Sequence, residues 1–350
     1  MGKSFCLLSI CLTGIALFIL SCAELPPRPP ELPPPQTEPP PPPQPQVYPT
    51  TRIFHDFVAL IAQPGDTLAS LASRHLNDSS LDWFIAELNG ITSLNPGQEV
   101  IIPLRPFEKG GVSSNGYQTV PVIAYHKFSE NRADVLTVKR SAFEEQMKFL
   151  EENGYRVITM DEFFDFMDLK RPIPKKSVVI TIDDDWQSTY EIAFPVLRKY
   201  GYPATLFVYT DLIVPGGKTL SWDLLIEMSK SGMDIQCHTK SHRHLDKRND
   251  QESFREYFEA IKKELTESSQ IIRKQLHKDV KYLAYPYGES NPLVIAFLRK
   301  LGYRGAFTVT RGSNPFFVHP YKINRSMIFG TFDLIDFEKN LASSNDKKLR

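Results

Sequence analysis

Apolar positions along this chain fall into three regimes. Residues 5–20 are an almost unbroken apolar run behind one early cation, Lys3. Residues 26–50 have no apolar period at all. From Phe57 onward, short apolar runs alternate with segments whose apolar residues recur every three to four positions, the signature of strands and amphipathic helices in turn. In the larger part, strands are predicted at Val120–Ala124, Val157–Thr159, Val178–Ile182, Ala204–Tyr209, Met233–Cys237, Val280–Ala284, Ala306–Val309 and Lys322–Asn324. Helices are predicted between them at Ala142–Glu152, Tyr190–Tyr200, Leu224–Lys230, Phe254–Leu276 and Leu293–Leu301. Asn153-Gly154, Tyr200-Gly201 and Leu301-Gly302 supply glycine stops. Strands joined by crossover helices predict a parallel sheet, closed or doubly wound. In a barrel of that kind, chemistry sits at the C-terminal ends of the strands.

The first run is too short for a comfortable membrane span and has signal-peptide proportions over residues 1–21. It ends Ile19-Leu20-Ser21-Cys22, which resembles a bacterial lipobox and implies a lipid anchor at Cys22. An uncleaved anchor or a plain secretory signal are the alternatives. Ala23, rather than aspartate, follows Cys22, which fits outer-membrane sorting in a Gram-negative cell. The expected location is therefore the cell envelope. Of the 28 prolines, about half lie between Pro26 and Pro49. Within the linker at 22–52, the stretch from Pro26 to about Thr50 cannot bury a core and favours polyproline II, a tether reaching roughly 75 Å. Recognition by a proline-binding domain is the other reading of that segment.

The charge balance excludes one class of partner. With 41 basic and 41 acidic residues the chain has no basic footprint for nucleic acid. Of four cysteines, only Cys237 lies outside the first 22 residues, so the folded part has no internal disulfide and Cys237 reads as a buried thiol.

Residues 53–105 read as a small β-α-α-β unit. Val58–Ile61 and Val100–Ile102 are its strands; Pro64-Gly65-Asp66-Thr67 turns and caps a first helix, and Asn89-Gly90 stops a second. The Pro-Gly-Asp-Thr-Leu turn, Trp83, Asn89, Pro96-Gly97-Gln98 and the Ile-Pro end stand at the spacing of the LysM module, which this segment resembles. The resemblance implies binding of N-acetylglucosamine glycans in a groove beside Gly65, Asp66, Thr67 and Pro96. The same residues also serve simply as fold-defining turns. A single module should bind weakly and raise the local concentration of substrate for a second domain.

In the larger part, three strand ends carry polar clusters. Val178–Ile182 runs into Asp183-Asp184-Asp185, whose mutual repulsion a cation would relieve. Adjacent acids there can divide labour between metal ligation and proton acceptance. Met233–Cys237 runs into His238-Thr239-Lys240-Ser241-His242-Arg243-His244. On a helical turn, His238 and His242 would face one way, a spacing that suits two ligands of one Zn²⁺, with His244 pointing elsewhere. Val280–Ala284 runs into Tyr285-Pro286-Tyr287-Gly288, a rigid turn able to offer backbone N–H groups to an oxyanion.

Together, Thr181-Ile182-Asp183-Asp184, His238-Thr-Lys-Ser-His242 and Pro286-Tyr287-Gly288 resemble the motifs of the polysaccharide deacetylases (carbohydrate esterase family four, NodB-like), across roughly residues 120–330. Val122-Ile-Ala-Tyr125-His126 and Ala204-Thr-Leu-Phe-Val208 resemble the branch that deacetylates biofilm poly-N-acetylglucosamine. The resemblance implies a distorted (β/α) barrel over residues 119–345, after a linker at 106–118. It implies that Asp184, His238 and His242 hold a divalent metal, Zn²⁺ first, that Asp183 is the general base and that the Tyr287 N–H serves the oxyanion. His126 is expected to protonate the leaving amine, with His319 as the second candidate. Trp222 is expected to line the sugar groove or to pack in the core.

Two positions depart from the family pattern. Asp185 stands where glycine is usual, which raises the expectation of a strained φ and a raised Asp183 pKa. Ala284 stands where an arginine usually orients the base; Arg325 is the substitute candidate. The expected function is N-deacetylation of an N-acetylglucosamine polymer. The LysM-like unit points to peptidoglycan, slightly preferred, and the Tyr-His pair to an exported poly-N-acetylglucosamine. A non-catalytic wall-binding lipoprotein and a de-O-acetylase are the alternatives.

Overall fold

The computed structural model describes residues 51–105, 109–113, 116–213 and 217–345. The expected export signal, Cys22 and all but the last two residues of the linker at 22–52 lie outside that range. Among the described residues, no helix is long and apolar enough to cross a membrane.

The small unit folds as its turns dictate. Strand Phe57–Ile61 pairs antiparallel with Glu99–Pro103, and a further strand, Thr51–Ile53, adds to its free edge. Helices Leu68–Leu76 and Asp82–Asn89 cover the sheet, burying Leu71, Ala72 and Ile85 against Val58, Val100 and Ile102. Thr67 caps the first helix and forms a capping box with Ser70. Asn89 ties the second helix to the sheet, donating to the Ile101 carbonyl and accepting from its N–H.

The large unit is built on parallel strands. In order these are Gly305–Phe307, Tyr282–Ala284, Asp234–Cys237, Thr205–Val208, Ser177–Asp183 and Val120–Tyr125. Closure comes from one irregular segment. Ile323 bridges Phe307 on one side, and Ser326–Met327 pairs with Ile123–Ala124 on the other. The sheet therefore wraps into a distorted barrel. The second expected strand, Val157–Thr159, is a two-residue splinter, Arg156–Val157, beside Ser177–Val178. Thr159 instead caps a helix, Met160–Met167, through a box with Glu162.

That helix fills the barrel from its N-terminal end. Phe163, Phe164 and Phe166 join Val120, Val122, Val179, Phe207 and Phe307 in an inner core. Phe164 stacks on Tyr282 at 4.8 Å between ring centroids. Gly305 makes room for it: a Cβ there would overlap the Phe164 ring and lie 2.8 Å from the Pro320 carbonyl oxygen. Gly305→Ala is expected to destabilise the protein by roughly 1–3 kcal/mol through overpacking, read as a lower urea midpoint with unchanged slope. The outer core lies between sheet and helices, with Ile123, Ile180, Leu206, Ile235 and Leu283 facing Phe143, Leu197, Leu225, Ile261 and Leu298.

The small unit docks at the N-terminal ends of the strands. Arg156 binds Asp82 at 3.1 Å and the Ser80 carbonyl at 3.2 Å, and the Lys175 N–H donates to Glu87 at 2.8 Å. Trp83 and Phe84 line a cleft there with Tyr117 and Lys176.

Candidate active site

Strand register alone gathers the site. Tyr125 pairs with Ile182, Asp183 with Phe207, Val208 with Cys237, and Cys237 with Leu283. The residues that follow, His126, Asp184, Tyr209, His238 and Tyr285, therefore emerge in one row at the C-terminal rim. Val179, Thr181 and Asp183 alternate onto the inner face of their strand, so Asp183 points into the barrel and is 2 % exposed.

Its partner is Arg325. The guanidinium makes a two-pronged ion pair, Nη1 to Oδ1 at 2.6 Å and Nη2 to Oδ2 at 2.7 Å, and its Nε donates to the Thr308 carbonyl at 2.9 Å. Arg325 itself is 0 % exposed. Planar, forked donors suit a carboxylate better than any other cation. Burial works against a charge on Asp183, but Arg325, aided by His238 and His126, outweighs it and holds the carboxyl well below its ordinary value. The arginine absent at position 284 is thus supplied by the segment that closes the barrel.

Beside this pair lie Asp184, His238 and His242, whose ligand atoms converge. His238 Nδ1 is 2.8 Å from the Ala284 carbonyl, which can only accept, so Nδ1 carries the proton and Nε2 presents a lone pair. That Nε2 is 3.2 Å from His242 Nε2, and Asp184 Oδ1 is 3.8 Å from both. Ordinary zinc–nitrogen bonds at a tetrahedral angle need nitrogens about 3.3 Å apart. Trp186 Nε1 donates to the other Asp184 oxygen at 3.1 Å, which leaves Oδ1 for the shared point. Facing lone pairs on two imidazoles and one carboxylate fit a divalent cation and leave further positions open.

The histidine pair does not sit on a helical turn. Residues 238–242 form an irregular loop in which Thr239 and His242 both have positive φ, 74° and 61°. Such φ is costly for a β-branched residue and persists only where the surroundings impose it. Thr239 Oγ1 accepts the His242 N–H, its own N–H donates to Cys237 Sγ, and Glu264 accepts from the N–H groups of Lys240 and Ser241 and from the Ser241 hydroxyl. Cys237 is, as expected, a free buried thiol. Glu264→Ala is expected to leave three donors without their acceptor, to cost roughly 2–3 kcal/mol, and to weaken metal affinity about 10–100-fold. Titration calorimetry with Zn²⁺ reads the second effect, and Glu264→Gln should recover part of it.

The strain expected at Asp185 falls one residue earlier. Asp184 has φ 70°, whereas Asp185 is not among the residues with positive φ. Asp185 is fully buried, and burial followed by the charge of Asp184 pushes its carboxyl well above the ordinary value. Burial therefore opposes a charge on Asp185, and Asp183 is held down by Arg325 rather than raised.

His126, at the end of its strand, is electrostatically coupled to Asp183 and Asp184; burial nonetheless lowers its pKa below the ordinary imidazole value. His319 is at the other end of the barrel. It accepts the Tyr321 N–H, and neighbouring Pro320 accepts from Ala306 near the start of the Gly305–Phe307 strand. Tyr287, half exposed with φ 59°, packs edge-on against His242 at 4.9 Å.

Residues 170–306 match the family model described as Polysaccharide deacetylase, and residues 61–103 match the one described as LysM domain. The chain carries a polysaccharide deacetylase domain. It is 32% identical over 192 residues to the poly-β-1,6-N-acetyl-D-glucosamine N-deacetylase of Staphylococcus aureus, covering 52% of this chain and 66% of that protein. It is 30% identical over 195 residues to a Bacillus subtilis protein named as a polysaccharide deacetylase, covering 55% and 66%. The chain thus spans just under two thirds of the length of these curated relatives. A solved polysaccharide deacetylase of Bacillus cereus superposes with TM-score 0.53 at 26% identity, over 72% of this chain and 73% of that one. A Streptococcus pyogenes deacetylase solved with acetate superposes with TM-score 0.58 at 23% identity, over 64% and 98%, and shows the shared fold. The deacetylase domain is accordingly a distorted barrel of a hydrolase family. His126 and Arg325 lie outside residues 170–306, the span of the family model.

Around the candidate site, Trp186, Tyr209 and Glu264 were not indicated by the sequence. Lys127 Nζ sits 3.6 Å over the Trp186 ring, and Tyr209 packs 5.1 Å from the His242 ring. Burial, reinforced by Asp184 and Asp185, pushes the Tyr209 phenol up to about 12. Trp222 begins the Trp222–Lys230 helix and packs on the outer core, the second of its two expected roles. In the LysM domain, Asp66 is occupied by Arg74 at 2.8 Å and the Gln63 N–H, and Thr67 by its capping box. Their side chains therefore hold the turn, while Gly65 has φ 91° and open space where a Cβ would stand. Pro96 is exposed beside Gly97, whose N–H donates to the Ala62 carbonyl.

Proposed function

We propose that this chain is a metal-dependent N-deacetylase of a β-linked N-acetylglucosamine polymer, acting at the cell envelope. The observation that carries the reading is the buried Asp183–Arg325 pair set directly beside the converging ligand atoms of Asp184, His238 and His242. A general base and a three-ligand cation position side by side are what acetamide hydrolysis needs.

Asp184, His238 and His242 would hold the cation, which when bound supplies Lewis acidity to the acetamide carbonyl and acidity to water. Asp183 is kept ionised by Arg325 and takes a proton from the attacking water. The water oxygen adds to the acetamide carbon, and the Tyr287 N–H is offered to the carbonyl oxygen as it gains charge. His126 delivers a proton to the amine nitrogen as the C–N bond breaks. Acetate and a free glucosamine unit result, and the proton count closes.

The substrate favoured here is an exported poly-N-acetylglucosamine, supported by the name of the Staphylococcus aureus relative and by the Tyr125-His126 pair. Peptidoglycan is the second reading, favoured by the LysM domain. Because that domain docks at the opposite end of the barrel from the site, it would concentrate substrate rather than line the cleft. Cys22 would anchor the chain, with the outer membrane as its place in a Gram-negative cell. Incubating the full-length chain with poly-β-1,6-N-acetylglucosamine, with peptidoglycan and with an O-acetylated polymer separates these readings. Free amines should appear fastest on the first. Acetate without amine would identify a de-O-acetylase, and no acetate from any polymer a wall-binding protein.

A further inference from the structure

A second cluster of metal-type ligands stands behind Tyr287. His244 and Asp246 continue the loop that carries His238 and His242, and Glu289 follows the Tyr287-Gly288 turn. His244 Nδ1 lies 3.4 Å from Glu289 Oε2 and 3.8 Å from Asp246 Oδ1. The His244 ring is fixed in that direction by stacking on Tyr287, with centroids 4.0 Å apart and planes 17° from parallel. Asp246 is held by its carbonyl, which accepts from Asn291.

Two features separate this cluster from an ordinary ion pair. His244 Nδ1 and Asp246 Oδ1 are both shielded from solvent, yet neither has a hydrogen-bond partner. Leaving such an atom unpaired costs roughly 1–3 kcal/mol, and native interiors seldom do so. Nor, among the described residues, does a lysine or arginine form an ion pair with either carboxylate. Nearby Arg243 is committed to Glu252 through two contacts of 2.8 and 2.9 Å. The geometry repeats that of the first cluster, where imidazole nitrogens lie 3.8 Å from a carboxylate oxygen around a shared point.

We propose that His244, Asp246 and Glu289 bind a second divalent cation of the zinc class, distinct from the one assigned to Asp184, His238 and His242. One imidazole and two carboxylates form a ligand set that zinc accepts. Three protein ligands leave a position for water. The two cations would flank Tyr287, whose ring packs against His242 on one side and His244 on the other. The second ion therefore fixes the turn that carries the Tyr287 N–H. The competing occupant is a proton, which would make His244 an imidazolium between two acids.

Zinc stoichiometry distinguishes them. The full-length chain is stripped with chelator, dialysed to equilibrium against micromolar Zn²⁺, and its metal counted by atomic emission. Two zinc ions per chain are expected. Glu289→Gln and His244→Ala should each bring the count to one, as should Asp184→Asn with His242→Gln, and combining the two sets should bring it to none. Glu289 is half exposed, so Glu289→Gln removes a ligand without disturbing the core; circular dichroism and the melting midpoint verify that. One zinc in the unaltered chain, lost only with Asp184 and His242, would overturn the proposal. So would a count of two that survives both Glu289→Gln and His244→Ala, which would mark binding elsewhere on the surface.

Discussion

Arg325→Leu is expected to reduce deacetylation by about 10²–10⁴-fold, the range a displaced general base commands. It should also destabilise the protein by roughly 3–5 kcal/mol, because it leaves the buried Asp183 carboxylate with no counter-charge. The pH dependence has a definite sign. In the unaltered chain Asp183 titrates below its unfolded value, so the pair stabilises the fold above about pH 4 and that contribution is lost as the pH falls. In Arg325→Leu the main counter-charge is gone, and burial raises the carboxyl. The penalty is then largest at neutral pH and eases as acid protonates Asp183. Urea unfolding at pH 7 and pH 4 should show the gap between the two proteins narrowing at the lower pH. The acid limb of kcat/KM should move upward in the variant. Arg325→Lys keeps the charge, loses the fork and should fall between.

Removing the cation should be as severe for activity and different for stability. Chelation, or His242→Gln, is expected to abolish acetate release by at least about 10³-fold, since carbonyl polarisation and water activation go together. The ligand atoms are assembled only in the folded chain, so Zn²⁺ should stabilise it. At a hundred times the dissociation constant the gain is about 2.7 kcal/mol. His242→Gln should lose most of that gain while keeping its fold in the absence of metal, because His242 is half-buried and belongs to a loop rather than the core. Melting curves with and without Zn²⁺ for the two chains test this.

Much of this arrangement was legible in the order of residues. Apolar alternation placed the strands, and polar clusters immediately after three of them located the rim. Arg325 could be nominated because an arginine was absent at position 284, but only the closing segment showed that it reaches Asp183. Local rules misled where tertiary contacts overrode them. A spacing of four suggested a helical turn for His238 and His242, yet the loop is held in left-handed φ by Thr239 and Glu264. The strain sought at Asp185 sits at Asp184, because that residue must turn its carboxylate toward the imidazoles. The Met160–Met167 helix did leave a signal, the Thr159-x-x-Glu162 box, hidden by the β-branched run Val157-Ile158-Thr159. Glu264 and Tyr209 left none, since each acts through contacts with residues distant in sequence, and the Trp186 bond to Asp184 depends on a left-handed φ that the sequence does not announce.

Metal-dependent deacetylation is decided by acetate release from poly-β-1,6-N-acetylglucosamine by the full-length chain, with and without chelator, beside Asp183→Asn. The expected result is release that chelator abolishes, that Zn²⁺ restores, and that Asp183→Asn lowers by at least about 10²-fold while the variant still binds Zn²⁺. Release that persists in chelator, or an Asp183→Asn chain as active as the unaltered one, would contradict it.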